Sequence, residues 1–405
     1  MVLTRRGLAG TALAAGLGLT GSRVAAQANA PPLRIGFLSD MSGIVVDLSG
    51  PGSLTSMRMG LEDYGGKALD RPVEILVGDH LNKPDTGLPI ARGWYDSGVK
   101  AIFDIGISTV ALGMQSLAKE KDGLVVFASS SSSDLTGSAC SPNGIAWTYD
   151  NYSQSQGVVR QLLKENAKTW FFLTVDYAYG RNVQRDTTKM IEAGGGKVIG
   201  SVLHPFETKD FSSYLLQAKA SGADVIALAT TTVHAGNVIK QADEFGIRDA
   251  GQKLAALSLT LHDVKALGLQ AAQGLLITAP FYWDQNDRTR AFSKRYFDRF
   301  HKMPNFIQAS LYGAVQHYLK AVDKVGSDDT AKVAAMMRAT PINDFMTVAG
   351  HIRPDGRVLR DNYVFRVKTP AESTGEWDLY TQIATIPAAE AFAPVEPGVC
   401  ALNKV

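Results

Sequence analysis

The chain has 405 residues, with 41 Lys and Arg against 39 Asp and Glu, a formal net charge of +2. That balance leaves no basic excess for nucleic acid and no acidic tail. Hydrophobic residues make up 45% of the chain, enough to build a sizeable core, which excludes disorder as the dominant state.

Residues 1–28 read as a targeting segment rather than as part of the fold. Arg5 and Arg6 precede an apolar stretch from Leu8 to Leu19, and Ala26 and Ala28 supply the small-residue spacing of a cleavage site. The Thr4-Arg5-Arg6 start with Leu8 behind it looks like a twin-arginine export signal. About 12 apolar residues are too few to cross ~30 Å of hydrocarbon, which argues against an anchor. Cleavage near Ala26–Ala28 removes Arg5, Arg6 and Arg23 and no acid, leaving a mature charge of −1. Gly16 to Gly21 fits G-x-G-x-x-G, but it is the apolar core of the signal, without the strand and helix a dinucleotide fingerprint needs.

Two cysteines exclude a Cys-rich zinc module and a disulfide-dense small scaffold. In an oxidising compartment Cys140 and Cys400 are expected to pair. The bridge would close a loop of about 260 residues and tie the tail, residues 391–405, to the body.

The mature chain alternates strand and helix. Leu33–Leu38 is a short apolar run ending in Ser-Asp, as a buried parallel strand does. Gly52–Tyr64 has helical spacing, Val73–Val77 is a strand, Pro89–Asp96 a helix, Ala101–Ile105 a strand, Ala111–Lys119 a helix and Leu124–Phe127 a strand. A serine-rich loop follows, and the pattern restarts after Trp147. Helices are expected at Ser153–Asn166, Gly180–Ala193, Ser212–Ala220 and Ala235–Phe245. Strands are expected at Thr169–Val175, Val198–Leu203, Val225–Ala229, Leu254–Leu257 and Gly274–Thr278. Long helices follow at Arg288–Phe300 and Gln308–Val325.

Two such series imply an α/β fold of two doubly wound lobes, each a parallel sheet covered by helices. Ligands of open α/β sheets bind beyond the carboxyl ends of the strands. The cleft candidates are therefore Ser39–Gly43, Asp79-His80, Ser108-Thr109, Ser129–Ser131, Asp176–Tyr179 and Thr230–Thr232.

Several stretches, in order, resemble a known family. They are Ile35–Gly43, Phe127–Thr136, Asp176–Gly180, Lys209–Ser212, Gly222–Ile226, Gln241–Gly246 and Leu311–Val315. Together they are similar to type I periplasmic binding proteins of the leucine/isoleucine/valine-binding type, the substrate receptors of ABC importers. The resemblance implies a periplasmic receptor that closes on its ligand by a hinge, with a permease complex as partner. It implies three crossings, near Thr148–Asn151, Thr278–Trp283 and Met346–Ile352. Residues 31–149 plus 283–346 would form the N-terminal lobe, and residues 150–282 plus 347–390 the C-terminal lobe.

The family holds a ligand carboxylate with hydroxyls and helix N-termini. By position Ser108 or Thr109, and Ser129, Ser130 and Ser131, match that anchor; plain helix capping is their other reading. Tyr179 matches the tyrosine that closes from the second lobe, and Thr231 a ligand-touching position. Trp283 and Tyr312 would wall the side-chain pocket or else pack in the core. Asp47 would reach a polar ligand group or face water.

One departure bears on the ligand. Amino-acid receptors of the family pair the ligand ammonium with carboxylates, but Leu257–Thr260 holds no acid and Ser153 stands where an acid would. A buried ammonium without a carboxylate is costly. The reading is a small organic acid, aromatic acids included, with a Leu/Ile/Val-type amino acid as the alternative. Asp79, Asp150 or Asp263 would restore the amino-acid reading by pointing inward.

No G-x-S-x-G, H-E-x-x-H or G-x-x-x-x-G-K-[ST] occurs in the mature chain, and the seven histidines show no metal-ligand spacing. The chain reads as a binding protein, not an enzyme, with no cofactor, no metal and no nucleic-acid partner. A ligand-sensing module for a membrane receptor would need the same features.

Overall fold

The computed structural model describes residues 31–403. The expected export signal, apart from its surroundings after residue 30, lies outside the described residues.

The first sheet gathers β1 (Leu33–Ser39), β2 (Lys67–Ala68), β3 (Arg71–Asp79), β4 (Ala101–Asp104), β5 (Leu124–Phe127) and β6 (Gly144–Ala146) in the order β2-β3-β1-β4-β5-β6. All its pairings are parallel except the short β2–β3 hairpin. The central strands β4 and β5 are buried at every position, which is why they read as unbroken apolar runs; outer β3 alternates. One face packs Phe37, Phe103 and Leu54 against Leu311 and Tyr318, under α1 (Gly50–Tyr64) and α11 (Phe306–Val325). The other packs Ile102, Val125 and Phe127 against Val110 and Met114, under α2 (Pro84–Asp96) and α3 (Ser108–Glu120).

The second sheet is all parallel, in the order β10-β9-β7-β8: β7 (Thr169–Val175), β8 (Lys197–His204), β9 (Val225–Ala229) and β10 (Lys253–Ala256). Its helices are α4 (Asn151–Lys164), α5 (Ala178–Ala193), α6 (Ser212–Ala220), α7 (Thr232–Glu244), α8 (Leu261–Leu267) and α9 (Leu269–Ala272). Helix α4 starts where Asp150 accepts the Ser153 N–H and Ser153 returns the bond, a reciprocal cap that satisfies two orphan groups.

A third sheet was not legible as such. β11 (Leu276–Ala279), expected as one more parallel strand, runs antiparallel to β14 (Asn362–Val367), which pairs with β15 (Tyr380–Ile386). The remaining elements are α10 (Asp287–Phe300), α12 (Thr330–Ala339), the hairpin of β12 (His351–Ile352) and β13 (Val358–Leu359), and α13 (Ala388–Ala391). Asn305 opens α11 by accepting the Ile307 and Gln308 N–H groups.

The chain passes between the two parallel sheets beside β6, and two fully buried arginines grip it there. Arg357 donates to the carbonyls of Ala146 and Tyr149, and Arg360 to that of Trp147. Arg357 also pairs with Asp150 at 3.3 Å. The turn before Arg357 needs glycine: Gly356 has φ 91°, and a Cβ there would meet the Gly144 carbonyl oxygen at 2.4 Å.

The cysteines pair as expected: Cys140 and Cys400 form a disulfide across a separation of 260 residues. The bridge holds the tail against the first lobe, and Lys189 of α5 meets Glu396 of the tail at 3.0 Å.

Candidate functional site

The carboxyl ends of the two parallel sheets face a small cavity of about 60 Å³. From the first lobe, Gly106, Ile107 and Ser108 line it at the start of α3, and Ser129 and Ser131 beyond β5. From the second lobe come Tyr177 and Tyr179 beyond β7, Thr231 beyond β9, and Ser258 and Thr260 beyond β10. Tyr149 and Gln154 of the first crossing and Ile307 of α11 also line it, with Val45 and Leu48. No Asp, Glu, Lys, Arg or His is among these lining residues.

The start of α3 is bent into the cavity by unusual backbone. Asp104 has φ 87° and Ile105 φ 54°, a left-handed pair in which a β-branched residue is an outlier. Such strain costs roughly 1–3 kcal/mol per residue and persists where the surroundings over-determine it; here the Ile105 N–H bonds the Leu38 carbonyl at 3.0 Å. Ile107 is the N-cap and has no oxygen to offer, so the first N–H groups of α3 have no side-chain cap. The Gly106 N–H is already engaged, donating to His80 Nε2 at 3.1 Å.

Behind Ser129 lies Asp104, fully buried at the end of β4. Its carboxyl faces the hydroxyls of Ser39, Ser49 and Ser129 but makes no fully formed hydrogen bond, and burial pushes it up to about 6. The Ser129 hydroxyl has no partner of its own, while the Tyr149 hydroxyl donates to the Ser129 carbonyl at 2.9 Å.

On the second lobe the hydroxyls are engaged. Thr231 meets His234 Nδ1 at 2.8 Å, Thr260 donates to Asp263 at 2.6 Å, and Ser258 donates to the Thr230 carbonyl at 3.2 Å. Burial holds Tyr179 up to about 12, against a bond to the Ser258 hydroxyl that lowers it.

Of the residues expected from the sequence, Ser108, Ser129, Ser131, Tyr179 and Thr231 come together here. Five do not. Thr109 is exposed, one position round the helix from Ser108. Ser130 is buried but outside the lining. Trp283 donates to the Trp377 carbonyl at 2.8 Å and packs on Tyr282. Tyr312 donates to Asp63 at 2.8 Å and packs against Phe292 and Phe345, on the far side of α11. Asp47 pairs with Lys302 at 2.8 Å at the surface.

The carboxylates that would have restored an ammonium site are committed elsewhere. Asp79 accepts from Ser42 and the Met41 and Leu81 N–H groups, Asp150 caps α4 and meets Arg357, and Asp263 accepts the Thr260 N–H and hydroxyl. Tyr149, Gln154, Ser258 and Thr260 were missed. Ser258 and Thr260 sit in the stretch read only for its lack of an acid, so the signal was there in its hydroxyls.

A larger cavity, about 510 Å³, lies beneath the disulfide-tethered tail. Its charges are already paired, Arg185 with Asp186, Arg353 with Asp355 and Lys189 with Glu396, and it lies off the strand ends. The smaller cavity is therefore the candidate ligand site.

Residues 32–375 match the family model described as periplasmic binding protein. A crystal structure of a periplasmic binding protein from Burkholderia mallei is 40% identical, with a TM-score of 0.89 over 92% of this chain and 99% of that one. A branched chain amino acid ABC transporter periplasmic ligand-binding protein from Burkholderia xenovorans LB400 is 42% identical, with a TM-score of 0.84 over 92% of this chain and all of that one. The leucine-, isoleucine-, valine-, threonine-, and alanine-binding protein of Pseudomonas aeruginosa is 24% identical over 47% of this chain. That match spans about half of the relative, 49% of its length.

Proposed function

The chain belongs to the periplasmic binding protein family, and we propose that it is an ABC-importer receptor that captures a small carboxylate, favouring an organic acid over an α-amino acid. The cavity without a charged side chain carries this reading. Its first-lobe wall offers serine hydroxyls and the uncapped start of α3, donors that suit a carboxylate without a full countercharge. An ammonium would be buried there with no carboxylate in contact. Tyr149, Tyr177 and Tyr179 supply flat apolar surface that favours an aromatic ring. The lobes would run over 31–149 plus 283–346 and 150–282 plus 347–390, with residues 1–28 removed on export to the periplasm and a membrane permease complex as partner.

The test is a thermal-shift screen of the mature chain, from Asn29, with benzoate-type acids, aliphatic acids and amino acids. A ligand at 100 times its dissociation constant adds about 2.7 kcal/mol of stability. Stabilisation by organic acids and not by leucine, isoleucine or valine is expected. Stabilisation by those amino acids alone would overturn the organic-acid reading and leave a receptor of the amino-acid type.

A further inference from the structure

The two walls of the cavity differ in which partner of a hydrogen bond they can supply. Each hydroxyl has one proton, so the proton's direction at each one can be followed through its bonds.

On the second lobe the protons are spent. His234 meets Thr231 through Nδ1 at 2.8 Å, and the tautomer that keeps a proton on its other nitrogen for the Phe206 backbone makes Nδ1 an acceptor. Burial holds His234 in its neutral form. Thr231 therefore gives its proton to His234, and although it stands at the N-cap of α7 its side chain makes no capping bond. Thr260 gives its proton to the Asp263 carboxylate. Ser258 gives its proton to the Thr230 carbonyl at 3.2 Å. What these residues turn to the cavity is oxygen lone pairs. The first lobe differs: the opening N–H groups of α3 have no side-chain cap, and the Ser129 hydroxyl, which faces the Asp104 carboxyl, makes no fully formed hydrogen bond.

We infer that the second-lobe wall selects a hydrogen-bond donor on the ligand, so that the ligand is a hydroxylated carboxylic acid, its carboxylate toward Ser108 and Ser129 and its hydroxyl toward Thr231 and Thr260. The inference rests on the carboxylate reading above and sharpens it. An ammonium is also a donor, but Asp263 already holds the Thr260 N–H and hydroxyl, and the three oxygens that remain are neutral. An unsubstituted acid would bury those oxygens with nothing to accept, and a site built to bond a substrate hydroxyl rejects the analogue lacking it.

The test measures dissociation constants by calorimetry for matched pairs: benzoate against 2-, 3- and 4-hydroxybenzoate, and 4-methylpentanoate against its 2-hydroxy derivative, with leucine alongside. At least one hydroxylated acid should bind tenfold or more tighter than its parent. In Thr231→Val, or in Thr260→Val should the first not fold, that ratio should fall below about threefold. Parents binding as tightly as their hydroxylated partners would overturn the inference while sparing the carboxylate reading. A preserved ratio in both variants would also overturn it. Leucine binding more tightly than every acid would make the selected donor an ammonium and overturn both. Binding of none of these compounds would overturn the carboxylate reading itself.

Discussion

Asp104 is the residue at which burial and backbone strain meet, directly behind the candidate site. It sits at φ 87° with its carboxyl fully enclosed and pushed up to about 6. Its folded-state pKa is therefore raised above the unfolded value. Below pH ~4 both states hold the proton; between ~4 and 6 only the native state does, so stability falls as pH rises through that window. Above pH 6 a buried carboxylate remains, at a cost of about 3 kcal/mol. Asp104→Asn tolerates the left-handed backbone and removes the charge. Urea melts should find the variant more stable than the parent at pH 8 by about 3 kcal/mol, with the gain gone at pH 4. Equal destabilisation at both values would mean that the carboxylate is compensated by groups other than the three facing serines.

At the scale of elements, the crossing beside β6 depends on a charge pair taken wholly out of water. Arg357 holds the carbonyls of Ala146 and Tyr149 while pairing with Asp150, the cap of α4. Its guanidinium also lies over the Phe392 ring at 5.2 Å. Arg357→Ala leaves Asp150 buried without its cation and two carbonyls without donors. Breaking such a pair from one side costs about 3–5 kcal/mol, which chemical denaturation would register. A loss under 1 kcal/mol would show that water enters the crossing and replaces the arginine. The same variant should also weaken ligand binding, because Tyr149 and Gln154 line the cavity from this segment.

Across the whole molecule, the lobes touch at the larger cavity beneath the tail as well as through the crossings. Ser133 donates to Asp186 at 2.7 Å, Asn182 to Asp134 at 3.0 Å, and Arg185 meets Asp134 at 3.3 Å. The tail adds a separate restraint, since the Cys140–Cys400 bridge spans 260 residues and Arg353 donates to the Ala393 carbonyl. Loss of so long a loop constraint is expected to cost about 2–5 kcal/mol. Cys140→Ser with Cys400→Ser should lower the melting temperature in oxidising buffer to that of the reduced parent. Ligand affinity should stay within twofold, because no tail residue lines the cavity. A large loss of affinity would instead make the tail part of the closing mechanism.

The alternation of apolar runs and amphipathic spacings was enough to place two parallel sheets and the strand ends that form the cleft. That information is local: a strand buried on both faces must be apolar throughout, and its carboxyl end must be followed by turn and capping residues. The serines after β5 and the tyrosine after β7 were legible as strand-end residues for the same reason, as was the pairing of two lone cysteines behind an expected export signal. Trp283, Tyr312 and Asp47 were not, because the direction of a side chain depends on partners distant in the chain, such as Trp377, Asp63 and Lys302. The antiparallel pairing of β11 with β14 joins strands more than 80 residues apart, and no local pattern records it. The proton directions at Thr231, Thr260 and Ser258 belong to the same class. A threonine in a sequence is both donor and acceptor, and only the fold, by setting His234 and Asp263 against it, spends its proton and leaves the lone pair facing the cavity.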